Sequence, residues 1–118
     1  MFVAALTVDV LVPDSRSRKD KRSVVRSLVA DLARTGVSAA ETGHLDLQRR
    51  AEVAVAVVSS TARHAGEVLD ACERTVRARP EIEVVSVERR LWKGSDDSDG
   101  DEPGVGAHEE EVEEVRHG

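Results

Sequence analysis

Residues 51–59, Ala-Glu-Val-Ala-Val-Ala-Val-Val-Ser, are apolar at both parities, and only Glu52 interrupts them. The β-branched Val53, Val55, Val57 and Val58 favour a pleated strand over a helix at this length. A strand apolar on both faces must lie inside a sheet, where layers or neighbours cover both sides. This segment therefore fixes the centre of a sheet and asks the rest of the chain to supply its flanks.

The flanks are legible in the same terms. Phe2 to Val12 alternates, with Leu6, Val8, Val10 and Val12 on one face and Val3, Ala5, Thr7 and Asp9 on the other. Pro13-Asp14-Ser15 ends this strand. From about Lys19 to Arg34, Val24, Val25, Leu28, Val29 and Leu32 recur at helical spacing, and Gly36 marks the stop. Val37 to Thr42 reads as a short strand joined by Gly43-His44-Leu45-Asp46 to the central one. Ser59-Ser60-Thr61 offers N-caps for a second helix, about Ala62 to Arg77, with the stripe Ala65, Val68, Leu69, Cys72 and Val76. Pro80 stops it, and Glu83 to Leu91 reads as a last strand.

The order β-α-β-β-α-β with short links predicts an α+β, ferredoxin-like plait. Right-handed crossovers place both helices on one face of a four-stranded antiparallel sheet, in spatial order 4-1-3-2. The expected domain covers residues 1–92. Residues 93–118 hold 2 Lys+Arg against 10 Asp+Glu and little apolar periodicity, so a disordered acidic tail is expected there. The remaining 15 cations and 13 acids make the domain itself mildly basic, within a total of 17 against 23. Such a tail either solubilises the chain or folds back on the basic surface as a competitor for nucleic acid.

One cysteine, Cys72, excludes an internal disulfide and fits a reducing compartment. The N-terminus lacks a basic n-region, and Asp9 cuts its apolar run short, so no signal peptide is expected. No stretch reaches the roughly 18–20 apolar residues of a membrane span, and the expected location is cytoplasmic.

Several chemistries that use this plait lack their residues. Base stacking on a sheet needs aromatics, and the chain has only Phe2 and Trp92. A metallochaperone loop needs Cys-x-x-Cys, and an acylphosphatase needs an asparagine, which the sequence does not contain. His44, His64, His108 and His117 share no metal-ligand spacing, so neither metal nor cofactor is expected. Asp9 has no evident base partner along the chain, and Ser15, Ser17 and Ser23 no triad context, so the expectation is a protein without enzymatic activity.

What stands out instead is Arg16-Ser17-Arg18-Lys19-Asp20-Lys21-Arg22, five cations in seven positions at a helix start, where the helix N-terminus also favours anions. In the expected topology the first strand–helix link, the central hairpin and the second helix–strand link share one end of the sheet. That end would gather Arg16, Arg18, Lys19, Lys21, Arg22, Arg49, Arg50, Arg77 and Arg79, with Asp14, Asp20, Asp46 and Glu81 as the nearby acids. Such a cluster suits RNA phosphates through counterion release, or it is a solvated helix start whose long stems cover apolar surface. The sheet face without helices suggests a different partner, a second copy packed sheet to sheet.

These same residues carry a resemblance. Ser17-Arg18-Lys19-Asp20-Lys21-Arg22-Ser23 is similar to the Ser-Leu-Lys-Glu-Lys-Arg-Ser run of the YlxP-like family, small bacterial proteins with a domain of unknown function. Ser38-Ala39-Ala40-Glu41, Asp46-Leu47-Gln48-Arg49-Arg50-Ala51, Val53 to Ser59 and Val84 to Arg89 fit it in order and spacing. Arg18 and Gln48 depart from it, standing where relatives usually have leucine and tryptophan. The resemblance implies a ferredoxin-like fold without established activity. It also implies a genetic setting beside a translation initiation factor and a ribosome-binding factor, hence an expected partner in ribosomal RNA or the ribosomal particle.

Overall fold

In the computed structural model, residues 1–95 and 111–117 are described. The elements run β1 (Phe2–Leu11), α1 (Arg18–Ala33), β2 (Ser38–Gly43), β3 (Arg50–Ser59), α2 (Ala62–Arg77), β4 (Glu83–Lys93) and β5 (Glu111–His117). The sheet order is β2-β3-β1-β4-β5 with every pair antiparallel. The first four strands and two helices form the α+β ferredoxin-like plait that the periodicities predict, with β1 and β3 central.

Alternation along β1 explains the core. Ala4, Leu6, Val8 and Val10 are buried, as are their counterparts Ala51, Val53 and Val55 on β3. α1 packs over β2 and β3, and α2 over β1, β3 and β4. Leu28 and Leu32 from α1 and Leu69, Cys72 and Val76 from α2 meet the strands in one cluster. Fully burying a leucine contributes roughly 2 kcal/mol, so Leu28 and Leu32 anchor α1 more firmly than its helix propensity does. The ends are capped locally. Thr61 Oγ1 accepts from His64 N–H at 3.1 Å to start α2, and beyond α1 the chain turns at Gly36, whose φ of 93° suits a residue without Cβ.

Among the described residues the opposite face carries no helix. Register places Val3, Ala5, Thr7, Asp9 and Leu11 beside Val58, Ala56, Ala54, Glu52 and Arg50 on it. One end of this face is small and apolar, the other polar.

The acidic tail is not without structure throughout. Residues 111–117 pair as β5 along β4, which itself runs two residues past the expected Leu91, to Lys93. The expectation of disorder over residues 96–110 and 118 lies outside the described residues. A physical reason for β5 is visible in the register. An outer β4 would present unpaired backbone groups, and β5 pairs along it from Val87 to Lys93.

Candidate functional site

The basic run begins α1 through a reciprocal cap. Ser17 is extended, and its Oγ accepts from Asp20 N–H at 3.0 Å, while Asp20 Oδ2 accepts from Arg16 N–H at 3.1 Å. Asp20, the acid inside the run, is thereby engaged with the backbone. Arg16, Arg18, Lys19 and Arg22 are exposed around this first turn. Arg18 lies 3.9 Å from Asp46, both well exposed, a pair worth little in solvent. Among the described residues no ion pair engages Arg16, Lys19 or Arg22.

Lys21 corrects the sequence reading. It is 2% exposed and ranks with the leucines of the core. The cause is helical spacing: Lys21, Val25, Leu28 and Leu32 lie on one stripe, so the lysine faces inward where its neighbours face water. Its Nζ donates to His44 C=O at 2.9 Å and Arg50 C=O at 3.2 Å and lies 3.1 Å from Glu41 Oε2. This ammonium ties α1 to both ends of the β2–β3 hairpin and is not available to an RNA phosphate.

The hairpin and the β1–α1 link are also joined directly. Val12 N–H donates to Arg49 C=O at 2.8 Å, and Arg49 Nε donates to Ser15 C=O at 3.1 Å. His44 turns the hairpin with a φ of 58°, a left-handed conformation uncommon outside glycine, and its carbonyl accepts from Leu47 N–H as well as from Lys21. The buried amine thus holds a strained turn in place.

Where these loops meet the uncovered face, Arg50 grips Asp9 in two-pronged fashion, Nε to Oδ1 at 3.0 Å and Nη2 to Oδ2 at 2.7 Å. That hydrogen bonding, helped by nearby His44 at 3.6 Å, holds the Asp9 carboxyl below its ordinary value and raises Arg50. Beside the pair lies an open groove of about 460 Å³ lined by Leu11, Leu47, Gln48, Arg49 and Arg50. The sequence hid this cluster. Asp9 finds its partners only through the β1–β3 register, which sets Leu11 opposite Arg50.

Arg77 and Arg79 stand apart from the rest. Arg77 pairs with Glu73 at 2.9 Å on its own helix. Arg79 donates to Ser27 and Asp31, both at 2.8 Å, and meets Glu81 at 3.4 Å. Ser27 and Asp31 lie nine and thirteen residues beyond Arg18, about 14–20 Å down the helix axis. The α2–β4 link is thus tied to the flank of α1 by acids that offset its charge. All three expected links lie at one end of the sheet, since Leu11 is in register with both Arg50 and Glu83. Only the first two are hydrogen-bonded into one joint, while the arginines of the third are engaged by Glu73, Asp31 and Glu81.

Among the described residues no group of His, Cys, Asp and Glu is placed to hold a metal ion, and no helix is long and apolar enough to cross a membrane. What the converged loops offer chemically is a set of exposed guanidinium and ammonium groups held on a rigid hairpin–helix joint. No curated protein matches the chain. The model of a family described as proteins of unknown function, DUF503, matches residues 3–89, from β1 into β4, with both converged loops inside the match and β5 outside it. The chain belongs to this family of unknown function.

Proposed function

We propose that the chain is a non-enzymatic accessory factor of the ribosome or its maturation, contacting RNA phosphates through the joined β1–α1 link and β2–β3 hairpin. The observation that carries this reading is the junction itself: Arg49 bonded to Ser15 sets the hairpin cations against Arg16, Arg18, Lys19 and Arg22. Arg49 and these four are exposed, and the acids closest in sequence are Asp14, Asp20 and Asp46, with Asp20 committed to the helix cap. The resemblance to YlxP-like proteins supplies the ribosomal setting.

Measuring affinity for small-subunit RNA at rising salt tests the reading. Each phosphate neutralised contributes about 0.9 to the slope of log affinity against log salt on a duplex. Arg16→Ala, Lys19→Ala and Arg22→Ala combined should weaken binding and flatten that slope, and wild-type affinity in the triple variant would sink the proposal.

A second reading attaches to the far end of the uncovered face, where Val58 is 65% exposed next to exposed Ala56. There the partner is a second copy of the chain, packed sheet to sheet, with no nucleic acid involved. Light scattering tests it: a monomer at micromolar concentration that stays monomeric with Val58→Asp removes this reading.

A further inference from the structure

We infer that the groove between the hairpin and the end of β1 holds one unpaired nucleotide of the RNA strand, an inference that rests on the RNA reading above and names the form of RNA. The groove is open to solvent, about 460 Å³ in volume, and its lining divides into three roles.

Leu11 and Leu47 give it apolar surface, and Leu47 is 46% exposed among the described residues. Arg50 supplies a flat plate. Two hydrogen bonds to Asp9 fix the plane of its guanidinium and offset its charge, leaving a rigid face on which a base stacks. Arg49 is held by Nε alone, on Ser15 C=O, so its two terminal nitrogens stay open to a phosphate among the described residues. Gln48, exposed and without a hydrogen bond among the described residues, offers a donor and an acceptor to a base edge.

A paired base cannot use these groups. In an A-form duplex the faces are stacked and the major groove is closed to side chains, whereas bases in loops and bulges present face and edge together. The neighbouring phosphates of such a strand then continue over Ser15 towards Arg16 and Lys19.

The test compares the full chain's affinity for a short single-stranded oligoribonucleotide, a blunt duplex of the same sequence, and a free nucleoside monophosphate, by fluorescence anisotropy and competition at low salt. The single strand should bind about tenfold more tightly than the duplex, in line with the strength of one base stack. Leu47→Ala and Gln48→Ala should each erode that preference while leaving duplex binding as it is, and Arg22→Ala should weaken both. Both hairpin positions are exposed and their side chains make no hydrogen bond among the described residues, so unchanged thermal midpoints are expected of these variants.

Equal affinity for strand and duplex, or a preference that survives both hairpin variants, overturns the inference and leaves the backbone-contact reading standing. A monophosphate competing as strongly as the strand also overturns it, in favour of a free-nucleotide site. Binding of neither RNA overturns the inference together with the reading beneath it.

Discussion

Lys21 and Arg22 are neighbours of like charge in the first turn of α1, and they do different work. The stripe that carries Val25, Leu28 and Leu32 inward carries Lys21 with them, while Arg22 sits a third of a turn away in solvent. Removing one member of a buried ion pair leaves the other uncompensated, at a cost of about 3–5 kcal/mol. Here Lys21→Ala also strips Glu41 and the carbonyls of His44 and Arg50 of their donor, so a loss of at least about 3 kcal/mol in urea unfolding is expected. Arg22→Ala should change stability by no more than about 0.5 kcal/mol. If both variants unfold alike, the buried role is wrong. The contrast also shows what a sequence conceals. A lysine inside a basic run reads as surface because charge dominates the impression, although its spacing to Val25 already placed it on the apolar stripe. Asp9 was opaque for another reason, since its partner Arg50 is 41 residues away and only strand register unites them.

Among the elements, the strands and helices with regular apolar spacing were legible nearly to their ends. α2 spans the residues expected, and α1 and β3 begin one residue early. β5 escaped because its valines, Val112 and Val115, are three apart among glutamates, a pattern that fits neither a strand nor a helix. What reveals it is the partner, a β4 whose outer edge from Val87 to Lys93 it pairs. A hydrophobic cluster of buried residues lies between the helices and the first four strands. Truncation after Ser95 should therefore preserve cooperative unfolding. It should accelerate hydrogen exchange at those β4 amides from Val87 to Lys93 that bond to β5, leaving the β1-facing amides slow. Unchanged exchange along β4 would mean that the strand contributes no protection.

At the scale of the molecule, two carboxylates on opposite faces of the sheet tie elements together, and both titrate below their ordinary values. Asp9 binds Arg50 on the uncovered face, with His44 adding to the attraction. On the helix side, burial pushes the Glu73 carboxyl up, but hydrogen bonds from Arg89 and Arg77 outweigh that effect, and the group ends lower. Arg89 is shared with Asp70 at 2.8 Å, so this second tie links α2 to β4 through two acids. A carboxyl depressed in the folded state gives stability that is complete above its unfolded value and is lost as pH falls through its folded one. The ordinary values are 3.8 for Asp9 and 4.5 for Glu73, so the thermal midpoint should hold level from neutral pH down to this range and then fall. Asp9→Asn and Glu73→Gln should each lower the midpoint at pH 7 and flatten part of the acid limb. Because the two sites share no partner, their effects should add within about 0.5 kcal/mol in the double variant. Midpoints recorded by circular dichroism across the acid range decide the matter. A wild-type midpoint that rises on acidification, or an Asp9→Asn variant with an unaltered acid limb, would show that the Asp9–Arg50 grip does not hold β1 against the hairpin in the way its geometry requires.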